Sequence, residues 1–207
     1  MSSHEEIRLA IDVGASALGF VSAMPSGPGV ISEDLITALV KNIPPCVDTF
    51  LLTSKQDPGE VIAQQRRTGA NTLQLVDSFP LDGYALLRQS LPGIRVVQVI
   101  HVQNENSIRE AISIAPHVHA LLLDSGNPKL ATKELGGTGR THDWSLSRRI
   151  RDAVAIPVFL AGGLHAGNVR EAIRSVEPYG VDLCSGVRTD GRLDKDKLAS
   201  FFSQLQS

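Results

Sequence analysis

Short apolar runs, each the length of a strand, alternate along the chain with longer segments in which apolar residues recur at helical spacing. That rhythm predicts a parallel sheet with crossover helices. Strands are expected at 17–23, 47–52, 72–75, 95–100, 120–124, 157–161 and 181–185. Runs such as Ala120-Leu121-Leu122-Leu123 and Val158-Phe159-Leu160-Ala161 are apolar at every position, as suits strands covered on both faces. Helices are expected near 33–42, 57–67, 81–90, 106–115, 144–153, 168–175 and 194–204, and one more, near 3–13, precedes the first strand.

Several boundaries have local causes. Ser32 followed by Glu33 and Asp34 supplies a capping oxygen and acids at a helix start. Asp57-Pro58 offers a cap and a first-turn proline. Gly14 and Gly69 fall where a left-handed C-terminal cap is needed, and Asn168 stands where it would cap the helix after it. The resulting fold class is α/β, a TIM-type (β/α) barrel with seven encoded strands and eight helices. A closed barrel has eight strands, so the first is read as missing, and the gap is expected to close by direct pairing of the strands at 17–23 and 181–185 or by another chain.

Composition narrows the function. With 207 residues and 42% hydrophobic content the chain can bury one sizeable core, so a single domain, 1–207, is expected. A net charge of -2 with acids and bases interspersed provides no basic stripe for nucleic acid and no polybasic run for a membrane. The first residues lack a signal-peptide pattern and no apolar run reaches the roughly 20 residues that cross a bilayer, which predicts a cytoplasmic protein. Cys46 and Cys184 stand far apart, without the spacing of a thiolate metal site. His117 and His119 straddle one residue, but with no third ligand in view they read as loop histidines, and no metal is expected.

The chemistry of such a barrel sits at the carboxyl ends of its strands, with phosphate at the last two. Gly162-Gly163 and Ser185-Gly186 end those two strands, and glycine lets backbone N–H groups approach an anion closely, so these four residues are the candidate phosphate site. Asp124 ends the run Leu121-Leu122-Leu123 and places a carboxyl at the mouth, a candidate general acid or base. Gly136-Gly137-Thr138 forms a candidate substrate loop. His165 stands beside the phosphate turn.

Together these segments resemble the successive motifs of phosphoribosylanthranilate isomerase. They are Leu122-Leu123-Asp124-Ser125, Gly136-Gly137-Thr138-Gly139 with Asp143-Trp144, Leu160-Ala161-Gly162-Gly163-Leu164 with Asn168-Val169, and Val181-Asp182 with Ser185-Gly186-Val187. Upstream, Gly14-Ala15, Ala17-Leu18-Gly19-Phe20 and Leu73-Gln74-Leu75 resemble the same family. The resemblance implies an Amadori rearrangement of a phosphoribosyl amine in tryptophan biosynthesis, without metal or organic cofactor. Asp124 matches the acid that protonates the ribose ring oxygen, and Gly162, Gly163, Ser185 and Gly186 match the phosphate site.

Four positions depart from the family. The cysteine base of its first strand, in Lys-Ile-Cys-Gly, has no counterpart. The Ser-Pro-Arg arginine is replaced within Gly27-Pro28-Gly29, the Gln-Leu-His-Gly histidine within Gln74-Leu75-Val76-Asp77, and the glutamate after Ser-Gly-Val by Arg188. The vacancy next to the last strand makes Cys184 the candidate base. The alternative to an isomerase, impaired or acting on another sugar phosphate, is a non-catalytic barrel that binds phosphorylated ligands, or a subunit completed by another chain or a second copy.

Overall fold

Local chemistry starts several helices where the sequence places a cap. Ser32 Oγ accepts from Leu35 N–H at 3.2 Å and Asp57 Oδ1 from Glu60 N–H at 2.8 Å, with Pro58 in the first turn behind it. Gly69 ends that helix at φ 71°, a left-handed position that costs glycine nothing. The computed structural model describes residues 1–25, 28–126, 133, 135, 137, 139 and 141–205. Among them are eight α-helices, α1 (His4–Asp12), α2 (Glu33–Val40), α3 (Pro58–Thr68), α4 (Leu81–Ser90), α5 (Asn106–Ile114), α6 (Trp144–Ala153), α7 (Val169–Val176) and α8 (Lys195–Ser203). None is long and apolar enough to cross a membrane.

Seven parallel strands lie in one sheet in chain order. They are β1 (Ala17–Val21), β2 (Asp48–Thr53), β3 (Thr72–Leu75), β4 (Arg95–His101), β5 (Ala120–Asp124), β6 (Val158–Leu160) and β7 (Gly180–Val181). A two-stranded antiparallel ribbon, β8 (Arg188–Thr189) and β9 (Arg192–Leu193), follows and was not expected from the sequence. The side chains divide into two cores. Leu18, Leu51, Leu73, Leu121, Leu123 and Leu160 face the helices, whereas Val97, Val99, Ala120, Leu122 and Ala161 face inward, joined by Phe50, Leu52 and Phe159. The all-apolar strands are thus buried on both faces, as their composition implies.

The sheet is open. β1 and β7 are its edges and do not pair with each other, which removes direct pairing as the way the gap closes. Between them lies a hollow of about 610 Å³, lined by Gly19, Val21, Phe159, Val181, Asp182 and Phe202 among others. The β1 edge is partly covered. Ser16 O and Ser22 N–H bond to β2, so the odd residues of β1 present their backbone to the gap, where Gly19 O accepts from the Met1 ammonium at 2.5 Å and Val21 O from Ile31 N–H at 2.9 Å.

Two strand ends differ from expectation by more than one residue. β1 stops at Val21, because Ser22 turns both its N–H and its hydroxyl onto Leu52 O at 3.0 and 2.7 Å. β7 is Gly180–Val181 rather than 181–185: its one neighbour, β6, ends at Leu160, and with no ladder to continue, Ser185–Val187 tightens into a single 3₁₀ turn.

Candidate active site

Strand alternation aims the groups at the mouth. In β5, Ala120 and Leu122 belong to the inner core, so Asp124, two residues on, continues the inward row at the carboxyl end. Its side chain is buried, and Oδ1 accepts from Ser125 N–H at 2.7 Å. His101 is its register partner on β4 and shares that layer. His101 Nε2 donates to Val76 O at 2.9 Å, which leaves Nδ1 buried without a partner. From the start of α6, His142 Nε2 meets Ser147 Oγ at 2.6 Å, again with Nδ1 unpartnered, and Trp144 Nε1 is also buried and unpartnered. Burial pulls the His142 pKa down while the charges of Asp124 and Asp143 pull it up, and burial wins, so the ring is neutral at pH 7.

The two glycine turns pack into one cradle. Gly162 and Gly163 hold φ of 85° and 63°, both left-handed, and a side chain on Gly162 would come within 3.1 Å of Asp124 Oδ1 and 3.0 Å of Ser125 N. Gly186 lies so close under Leu164 O that a Cβ there would collide with it. Asn168 occupies the cap position of α7 but does not cap it. Its Oδ1 takes His165 N–H at 2.9 Å and its Nδ2 donates to Gly163 O at 3.0 Å, so the side chain braces the turn instead and α7 begins with no side-chain cap. A backbone cradle in front of uncapped helical N–H groups suits an anion. His165 is exposed and its Nδ1 accepts from Gly167 N–H at 3.1 Å.

Gly136 and Thr138 lie outside the described residues. Gly137, at φ 65°, abuts Pro28, and Gly139 lies near Ser185 Oγ. From the same segment Lys133 pairs with Asp77 at the end of β3.

Other candidates stand apart. Cys184 sits by the gap, half-buried, and burial pushes its thiol up against an opposing pull from Arg188. His119 Nδ1 accepts from Val96 N–H at 2.9 Å while the His117 ring stacks on Tyr84 with centroids 5.9 Å apart, so the two do not converge. Among the described residues no three His, Cys, Asp or Glu side chains cluster as a metal site. The sequence does not single out His101 or His142, and Asp182 stands in it only as part of the Val181-Asp182 motif. Strand parity was the usable signal for His101 and Asp182, whereas nothing local in the sequence brings His142 to Asp124.

Known proteins resemble this chain in sequence and in fold. The family model described as N-(5'-phosphoribosyl)anthranilate (PRA) isomerase matches residues 1–204. The chain is 36% identical over 179 residues to N-(5'-phosphoribosyl)anthranilate isomerase of Methanocella arvoryzae, covering 86% of this chain and 82% of that protein. It is 33% identical over 218 residues to the Methanosarcina acetivorans protein of the same name, covering 99% and 90%. Phosphoribosyl anthranilate isomerase from Thermotoga maritima superposes with a TM-score of 0.84 at 29% identity, covering all of this chain and 95% of that one. A phosphoribosyl anthranilate isomerase in complex with reduced 1-(o-carboxyphenylamino)-1-deoxyribulose 5-phosphate superposes with a TM-score of 0.81 at 27% identity, again covering 100% and 95%. With the acid-bearing strand end and the double-glycine cradle in the places described above, the chain belongs to the N-(5'-phosphoribosyl)anthranilate isomerase family of tryptophan biosynthesis.

Proposed function

We propose that this chain, folded over 1–207 as one unit, isomerises N-(5'-phosphoribosyl)anthranilate to the aminodeoxyketose phosphate, with Asp124 as the general acid. The observation that carries this is the contact between acid and cradle: Asp124 Oδ1 borders the Gly162 turn closely enough that no side chain fits there comfortably. A phosphate bound to the backbone of Gly162, Gly163, Ser185 and Gly186 therefore holds its ribose within reach of the Asp124 carboxyl. Proximity of that kind turns binding into catalysis, because a fixed near-attack geometry removes several kcal/mol of the barrier.

The chemistry suits the residues. Asp124 gives a proton to the ring oxygen, the C1–O bond breaks, and the nitrogen lone pair forms a C1=N bond. Removal of the C2 proton and return of a proton to C1 complete a redox-neutral rearrangement, which calls for no electron carrier. Gly136, Gly137 and Thr138 are proposed to close over the sugar phosphate, and Cys184, the candidate base named from the sequence, lies half-buried beside the gap, where burial pushes its thiol up.

The test is turnover. Loss of the substrate's fluorescence, followed in the wild-type chain and in Asp124→Asn, should show activity in the first and a drop of about 10²–10⁴ in the second. Binding of inorganic phosphate without any turnover by the wild type would favour the non-catalytic reading instead.

A further inference from the structure

A general acid alone does not isomerise, and the sheet register places a second carboxyl opposite the first. Leu122 of β5 pairs with Phe159 of β6, and Phe159 pairs with Gly180 of β7. Two residues further along each strand, Asp124, Ala161 and Asp182 fall on one layer. Ala161 is in the inner core, as Asp124 is on the inward row. On β7 the outward positions are fixed by Val181 and Leu183, which pack against the helix-facing core, so Asp182 between them points inward. Its N–H still donates to Leu160 O at 2.8 Å, which keeps the strand geometry to that residue. Asp182 lines the same hollow as Leu122, Phe159 and Gln74.

With strands about 4.8 Å apart, the two backbones are separated by about 10 Å across Ala161. Side chains converging from both sides leave room between the carboxyls for a sugar carbon chain. Asp182 is surface-exposed only because it looks into the hollow, and the walls around it still strip much of its water.

We propose that Asp182 is the general base of the isomerisation, taking the C2 proton while Asp124 serves the ring oxygen. This rests on the isomerase reading of the same site. The Asp182 carboxylate takes the proton from C2, the C2–H electron pair becomes the C1=C2 bond, and the C1=N π pair returns to nitrogen. The enol so formed loses its hydroxyl proton and gains one at C1, giving the ketone, and water carries the proton on Asp182 back to Asp124. No oxidant or co-reactant is needed.

The electrostatics agree. Desolvation first, and then the Asp124 charge, raise the Asp182 carboxyl to about 6, against the Leu183 N–H and the Met1 ammonium, which stabilise its charge. A base just below neutral pH is charged at pH 7 and still binds a proton well. The charged or titratable groups facing it are Asp124 from β5, the Met1 ammonium and the Cys184 thiol, while Arg188 is engaged by Glu6.

The experiment compares wild type, Asp182→Asn, Asp182→Glu, Cys184→Ser and Asp124→Asn, using substrate with hydrogen or deuterium at C2. Inorganic phosphate protection in a thermal shift confirms that each variant is folded. Asp182→Asn should lower kcat by about 10²–10⁴ and enlarge the deuterium effect, because C2 deprotonation becomes limiting. Asp124→Asn should shrink it, because ring opening becomes limiting. Asp182→Glu should recover part of the rate, Cys184→Ser should stay within a few-fold of wild type, and the wild-type rate should fall below about pH 6, as the base becomes protonated. A wild-type chain that turns over while Asp182→Asn keeps its full rate, or a Cys184→Ser drop of about 10², overturns the base assignment alone. A folded wild type with no turnover overturns the isomerase reading and the base with it.

Discussion

Arg188 donates to both carboxylate oxygens of Glu6, at 2.7 and 3.1 Å, and so ties α1, beside the β1 edge, to the chain leaving β7 across the open side of the sheet. Leu193 N–H, Ser2 N–H and the Ser2 hydroxyl also donate to Glu6, at 3.1, 2.9 and 3.1 Å. The pair is nearly closed to solvent, each side chain 9% exposed. Arg188 stands where the family pattern has glutamate, and its partner shows why the change bears on architecture: its charge is spent on Glu6 at the gap and not on the phosphate cradle.

Burial by itself would raise the Glu6 carboxyl, but the hydrogen bonds from Arg188, Leu193 and Ser2 outweigh it and hold the group at about 2, below its ordinary 4.5. A carboxyl depressed on folding stabilises the fold fully above its unfolded pKa and loses that contribution as pH falls through the folded value. The melting temperature should therefore decline between about pH 5 and pH 2 in the wild type and decline less in Glu6→Gln. At pH 7 Glu6→Gln should cost about 2–3 kcal/mol, as expected for hydrogen bonds to a charged group. Urea unfolding at the two pH values checks both statements.

The cradle separates into replaceable and irreplaceable parts. Ser185 offers a side chain near Gly139, and Ser185→Ala should weaken inorganic phosphate binding while leaving the melting temperature without ligand within about a degree. Gly186→Ala places a methyl against Leu164 O, so it should lower stability by about 1–3 kcal/mol before any question of binding arises. Thermal shift with and without phosphate distinguishes them, since only a folded-state ligand site responds to added phosphate.

How far the sequence could be read follows from which forces are local. Caps such as Ser32 and Asp57 and the all-apolar β5 run act within a few residues, so seven parallel strands and eight helices were legible, and Asp124 with them. The 3₁₀ turn at Ser185–Val187 was not, because it depends on β6 ending and on an empty far side. Asn168 looked like a helix cap because composition cannot say whether its amide will bond forward into α7 or back to Gly163 O. The Arg188–Glu6 pair joins residues 182 positions apart, and only the curl of the open sheet, which turns its two edges toward one hollow, brings them together.

The open edge predicts association. Among the odd residues of β1, Gly19 and Val21 have their carbonyls satisfied by Met1 and Ile31, but unpaired strand edges invite further pairing, and Tyr179 stands 74% exposed beside the hollow. Light scattering should return a multiple of 22.2 kDa. Tyr179→Lys, adding charge at that face, should shift the mass toward one chain. A monomer at all concentrations would mean that the edge is adequately covered from within.

Binding and turnover should come apart at Asp124. Its carboxyl borders the Gly162 turn and accepts from Ser125 N–H, a bond that an amide oxygen at the same position can also accept. Asp124→Asn therefore keeps the shape of the cradle and removes the proton donor. Phosphate should protect this variant against heat as well as it protects the wild type, because the backbone groups of Gly162, Gly163 and Gly186 are untouched. Turnover should fall by about 10²–10⁴, with the change in kcat rather than in KM, since the carboxyl acts on the breaking C1–O bond rather than on ground-state binding. His142 supplies a control: it is buried, neutral and electrostatically close to Asp124, so His142→Phe should raise or lower kcat modestly without abolishing it. Steady-state kinetics beside phosphate protection decides the matter. Equal loss of protection and turnover in Asp124→Asn would show that the carboxyl builds the cradle instead of supplying the proton.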